Sequence, residues 1–265
     1  MLNSFSEKSL KQFFQSLYLT LKNFDAELTE VWCEPSDVDY FRGFSQDQIK
    51  EFTSYFDFIS MKRGNYIDYI IIEKLPFIIR SLKYLQLDIT LLSNLLDYDG
   101  FEALVKLILS ESNYFTTKNY RFTDKTNFKS KTKQSKYEID VIGIHRDIIL
   151  LIDCKQWKRK DSYSAINKAA NLQYMRALAL KKNHELFSGL LETLIGIKKV
   201  QKLKPPFLLI PLMVTLESNW IKINDNSVPI VSIYQLNSFL EELQDNLYYF
   251  KIVKVNKLQI QKQLI

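Results

Sequence analysis

Tyr137-Glu138-Ile139-Asp140-Val141-Ile142-Gly143, followed after a short turn by Ile148-Ile149-Leu150-Leu151-Ile152-Asp153-Cys154-Lys155, decides how this chain is read, because it sets two acids and a lysine at the ends of apolar strands. Neither parity of Ile148 to Ile152 is polar, as expected of a strand buried on both faces. Side chains alternate along a strand, so Asp153 and Lys155 leave the same face. Gly143 and the polar His145-Arg146-Asp147 are expected to supply a turn that folds the first strand back antiparallel, bringing Asp140 to the end where Asp153 sits. A Mg²⁺ ion takes hard oxygen ligands, one or two carboxylates from the protein and the rest from water and phosphate. Two acids and an ammonium at one strand end therefore suit phosphodiester hydrolysis, while a buried structural ion pair is the plain alternative.

In pattern, Asp140, twelve intervening residues and then Asp153-x-Lys155 after an apolar strand resemble the PD-(D/E)xK, or restriction-endonuclease-like, nuclease superfamily, nearest its Mrr-like and archaeal Holliday-junction resolvase branch. The likeness covers roughly residues 95 to 240 and rests on order: a helix Phe101 to Ser110 carrying Glu102, the hairpin, the Asp-x-Lys strand, and a helix from about Ser164 to Lys182. No proline precedes Asp140, where the superfamily name records one. The resemblance implies an α/β fold with a mixed central sheet flanked by helices, and a Mg²⁺-dependent DNA endonuclease that also accepts Mn²⁺. It implies Asp140 and Asp153 as metal ligands, with the backbone carbonyl of Cys154 as a further one, and Lys155 as the group that orients the attacking water and stabilises charge on the phosphate. A metal lowers the pKa of bound water, and a fixed cation stabilises developing oxyanion charge, which is the same chemistry argued from the residues.

Glu102 has two readings: a metal or water ligand, as the resemblance implies, or the reciprocal partner of Asp99 in a capping box over Asp99-Gly100-Phe101-Glu102. Glu138 shares strand parity with Asp140 and is expected to face solvent. Gln173, on the apolar-periodic stretch Ala169 to Leu178, is either a site residue or part of a plain amphipathic helix. Lys158, Arg159 and Lys160 form a basic run beside Trp157, and Lys118 to Lys136 adds Arg121, Lys131 and Lys133 among its cations. Both runs read as phosphate-contacting loops or as solvated ones, and Trp157 as a stacking or a core residue. His145 is expected to be an exposed turn residue.

A net charge of +6 and a pI near 9.0 suit a protein that meets a polyanion, DNA or RNA alike. With two histidines, six glycines and two cysteines that lack metal-ligand spacing, a metalloprotease, a zinc deaminase, a glycine-rich phosphate loop and a structural zinc site are all short of parts. No stretch approaches the roughly 18 apolar residues of a membrane helix and no signal peptide is evident, so no membrane partner and a cytoplasmic location are expected.

Three regions are expected: residues 1–94 helical, residues 95–250 the nuclease-like core, and residues 251–265 a basic tail. In the first, Leu10 to Phe24 recurs at helical spacing; Gln46 to Ile59, Phe77 to Leu85 and Ile89 to Leu96 follow as short apolar helices, with Tyr66 to Lys74 set between them by an Arg63-Gly64-Asn65 turn. In the core, Leu186 to Lys204 reads as a helix and basic connection, Phe207 to Leu216 as a buried strand whose Pro211 marks a bulge or an edge, Val228 to Tyr234 as a strand and Leu236 to Leu247 as a helix. A homodimer is one arrangement that a double-strand cut calls for, and a catalytically silent nucleic-acid-binding or scaffolding protein retaining the fold is the alternative to an enzyme.

Overall fold

The computed structural model describes residues 6–85, 89–124, 135–156, 163–216 and 222–258. The chain divides into two compact units, Met1–Phe101 and Glu102–Ile265.

The first unit opens with α1 (Glu7–Leu21), whose start is capped by the Ser6 side chain accepting from the Ser9 amide. There follow β1 (Glu30–Cys33), α2 (Gln46–Thr53), β2 (Ile59–Lys62), β3 (Tyr69–Glu73), α3 (Lys74–Leu85) and α4 (Ile89–Ser93). The helices expected in residues 1–94 are therefore joined by an element not expected, an antiparallel sheet of order β1-β3-β2. Tyr69-Ile70-Ile71-Ile72 is an aromatic followed by a β-branched run, and only Ile70 and Ile72 are fully buried, so the stretch carries the period of a half-buried strand. The expected helix Gln46 to Ile59 stops early, because Phe56, Phe58 and Ile59 turn inward onto α1 and β3. Phe13 meets Phe52 edge-on at 4.8 Å and Phe56 at 5.0 Å, and Phe14 meets Phe58 at 5.3 Å. Lys74 is fully buried beside this core, its ammonium donating to the carbonyls of Asp25 at 2.6 Å and Leu95 at 3.0 Å.

The division between the units falls in α5 (Tyr98–Glu111), which leads into β4 (Phe115–Thr123), β5 (Lys136–His145) and β6 (Ile148–Lys155). The long helix α6 (Tyr163–Lys182), then α7 (His184–Ile195) and α8 (Ile197–Val200), cross over to β7 (Phe207–Thr215). β8 (Ile230–Ser232), α9 (Leu236–Glu242) and β9 (Val253–Val255) complete the unit. The result is α/β: a mixed sheet in the order β4-β5-β6-β7-β8, with β9 also on β7, flanked by helices. β6 runs antiparallel to β5 and parallel to β7, and all of Ile148 to Cys154 is buried, as its apolar run requires. One face of the sheet, through Ile142, Ile144, Ile149 and Leu151, packs on Ala177, Leu180, Phe187 and Leu191 of α6 and α7.

Several expectations need correcting here. The β5–β6 turn is Arg146-Asp147, with Arg146 in the left-handed region at φ 57°. Gly143 lies inside β5 opposite Leu150, and a side chain there would meet Tyr114 at 3.2 Å and Leu109 at 3.3 Å, so glycine allows the end of α5 to approach the strand. The basic connection breaks at Gly196, φ 81°, separating α7 from α8. Residues 251–265 are not simply a tail, since β9 joins the sheet.

Pro211 sits in the middle of β7 and at neither an edge nor a bulge. The Leu208 amide donates towards β6, to Asp147, and the Met213 amide donates the other way, to Pro229. Alternation turns the nitrogen of Pro211 to the side of Met213, and there β9 reaches only Leu209 while β8 starts only at Met213. The missing N–H falls in a gap between two partner strands.

Candidate active site

The β5–β6 ladder ends at Val141 opposite Ile152. One residue further, the Asp140 carboxylate takes over: its Oδ2 accepts a buried hydrogen bond from the Cys154 amide at 2.8 Å. Opposite Asp140 on the other flank, Asn119 takes the left-handed region at φ 57° and the regular β4–β5 pairing skips that position. Asp140 thus stands where β5 parts from β6, with its side chain bridging the opening.

Asp153 is 2% exposed and carries two cations. Lys155, two residues along the same face, places Nζ 3.0 Å from Oδ2, and Nη1 of Arg176 on α6 donates to Oδ1. The Lys155 contact is within ion-pair range but outside hydrogen-bond alignment, so Asp153 Oδ2 is buried without a hydrogen bond. Arg176 Nη1 also donates to Gln173 Oε1 at 2.8 Å, and Gln173 is fully buried.

Glu102 is 4% exposed on α5. The cap reading is displaced: the Gly100 amide donates to Asp97 Oδ1 at 2.7 Å and the Phe101 amide to the Asp97 carbonyl at 2.9 Å, so Asp97 caps α5. Electrostatics tie Glu102 to the strand ends. Burial pushes the Cys154 thiol well above its usual range, and the charges of Asp140, Glu102 and Asp153 push it further, with Lys155 opposing. The charges of three carboxylates and an ammonium thus act on one fully buried thiol.

Of the remaining expected residues, Arg121 is exposed and ion-paired at 2.8 Å with Glu138, its cross-strand partner, which holds the guanidinium pKa up. Lys131, Lys133, Lys158, Arg159 and Lys160, with Trp157, lie outside the described residues. His145 is half-buried, its Nδ1 3.1 Å from the Asn113 carbonyl. Arg176 was not singled out from the sequence; its signal was a lone cation one helical step beyond Gln173, which becomes informative only once α6 is known to cross Asp153.

Donor chemistry at the site suits a hard divalent cation: Asp140 and Asp153 stand at the same end of β5 and β6, and the buried Asp153 Oδ2 lacks a hydrogen bond. Among the described residues no group of three or more His, Cys, Asp and Glu side chains gathers to hold a metal by itself. Arg176 holds Oδ1, the other oxygen that such an ion would take.

The fold and site define an α/β protein with a polar cluster at the fork of a mixed sheet, and no described helix is long and apolar enough to cross a membrane. No protein-family model and no curated protein matches the chain. A solved structure, protein VC1899 from Vibrio cholerae, is similar at a TM-score of 0.33 and 10% identity over 92% of this chain and 53% of that one, so the chain spans about half the length of that structure.

Proposed function

We propose that the chain is a metal-dependent DNA endonuclease whose second unit is a restriction-endonuclease-like core. The observation that carries this is the placement of Asp140, Asp153 and Lys155 at the β5–β6 fork. Asp140 and Asp153 would hold Mg²⁺ or Mn²⁺, with the Cys154 carbonyl and Glu102 as further candidates. Such an ion supplies an acidified water and neutralises phosphoryl charge. The chain's own residues then have separate tasks. Lys155, fixed at 3.0 Å from Asp153 and partly exposed, orients the attacking water and faces the negative charge that develops on the phosphate. Asp140 holds the end of β6 in place through the Cys154 amide. A homodimer would supply the second site that a double-strand cut requires.

A second reading has one specific observation in its favour. Arg176 already neutralises Asp153, which suits a catalytically silent nucleic-acid-binding or scaffolding protein that keeps the fold.

Cleavage of a DNA panel (duplex, single strand, flap, four-way junction and methylated duplex) with Mg²⁺ or Mn²⁺ separates the two. Wild-type products lost by about 10²-fold or more in both Asp153→Ala and Lys155→Ala support the nuclease. DNA binding with no metal-dependent product supports the silent protein.

A further inference from the structure

Three buried polar atoms without a hydrogen bond belong to one cluster: Asp153 Oδ2, Gln173 Nε2 and Arg176 Nε. Native interiors leave few such atoms, and a group of them marks a place for an absent partner. The Gln173 amide cannot simply be reversed, because its Oε1 already accepts from Arg176 and reversal would aim an amino group at a guanidinium. Two donors thus remain unspent, while Arg176 Nη1 serves both Asp153 and Gln173.

Arg176 also lines a cleft of about 660 Å³ with Tyr120, Arg121, Phe122, Lys136 and Tyr137. That volume is in the range of small-ligand sites. Phe122 and Tyr137 stack at 5.3 Å and are buried in the core beneath it, and the partly buried Tyr120, 5.8 Å from Phe122, is the ring that borders the opening. Glu138 on the rim is matched by Arg121. A tyrosine ring beside cations is chemistry that receives an unpaired nucleotide, base against Tyr120 and phosphate against guanidinium.

We propose that this cleft seats one unpaired nucleotide of the substrate strand and that Arg176 exchanges partners when it does. With the cleft empty, the guanidinium neutralises Asp153. With the cleft filled, it pairs with the nucleotide's phosphate and frees Asp153 Oδ1 for the divalent cation. Arg176 is then a positioning residue that couples nucleotide and metal binding, each tightening the other by the same factor. The inference rests on the metal-dependent site proposed above.

Calorimetric titration with Mn²⁺ tests it, alone and with saturating thymidine 3′,5′-bisphosphate, a nucleotide with no phosphodiester to cleave. Wild type, Arg176→Gln, Arg176→Lys and Tyr120→Ala are compared. Without nucleotide, Arg176→Gln should bind Mn²⁺ about fivefold tighter or better than wild type, the low end of usual coupling, with Arg176→Lys between them. The nucleotide should tighten Mn²⁺ binding more in wild type than in Arg176→Gln, which has no cation left to exchange. Tyr120→Ala should lose nucleotide affinity and keep its affinity for Mn²⁺ alone. Equal or weaker Mn²⁺ binding in Arg176→Gln, coupling that survives in that variant, or unchanged nucleotide affinity in Tyr120→Ala would each overturn the proposal. Should the glutamine variant not fold, absence of coupling in wild type overturns it as well. Coupling without cleavage of any DNA sinks the nuclease reading and leaves the exchange standing, whereas cleavage without coupling does the reverse.

Discussion

Asp140 has a structural duty besides the proposed catalytic one, and the two separate by substitution. Its Oδ2 is the acceptor for the buried Cys154 amide, so Asp140→Ala leaves that N–H unpaired and should cost about 1–3 kcal/mol in urea unfolding. Asp140→Asn keeps an acceptor oxygen and should lose less stability while still impairing a metal-dependent activity. Equal stability losses in the two variants would show that the hydrogen bond does not hold the strand end. Thiols give a second test at this scale. Burial, helped by the charge of Asp37, pushes Cys33 up to about 12 from an ordinary 9.0, so the folded chain keeps a proton that the unfolded chain releases. A raised folded pKa gives stability that is present below pH 9.0 and lost as pH rises towards 12. Cys154 acts in the same sense, while the depressed pKa of buried Lys74 acts in the opposite one. The comparison must therefore be made between variants: unfolding free energy from pH 8 to about 10.5 should fall less steeply in Cys33→Ala than in wild type. Parallel slopes would mean the thiol titrates freely in the folded chain.

Elements were legible in proportion to how far their signal is local. The helix, hairpin, Asp-x-Lys strand and helix from Tyr98 to Lys182 follow from apolar period and turn residues, and the structure places them within a few residues of the expected bounds. The first-unit sheet was not legible, because β1 and β2 are four residues each and show their period only when paired with β3. At the site, Asp140, Asp153 and Lys155 could be read because strand parity is fixed by sequence. Arg176 could not, since the facing of a helix on a sheet is set by packing. Pro211 shows a third way to meet a strand's rule: a proline there suggested a bulge or an edge, and the structure supplies a gap opposite its nitrogen. Replacing it should therefore harm. Pro211→Ala adds a buried amide to a flank where neither β8 nor β9 pairs with residue 211, and should destabilise by about 1–3 kcal/mol in thermal or urea unfolding. A neutral or stabilising change would mean that the ladder closes over the gap.

For the whole molecule, the question is whether its charge is organised for a polyanion. A net charge of +6 is modest, and Arg121 and Arg176 are paired with acids, so the basic run Lys158-Arg159-Lys160 is the part of the proposed nucleic-acid contact to test next. Lys158, Arg159 and Lys160 follow the Asp-x-Lys strand in sequence after Gln156 and Trp157. Binding through them would be counterion release and would have a quantitative signature: each phosphate contact contributes about 0.9 to the slope of log affinity against log salt. Neutralising all three to glutamine should lower the magnitude of that slope by about 2 to 3 and weaken DNA of every sequence alike. The readout is fluorescence anisotropy in EDTA over roughly 50–200 mM salt, so that binding is seen without cleavage. An unchanged slope would return the run to a solvated loop and leave the Arg176 cleft as the remaining candidate for the phosphate contact. A reduced slope with cleavage lost only in proportion to binding would separate the residues that hold the strand from those that break it.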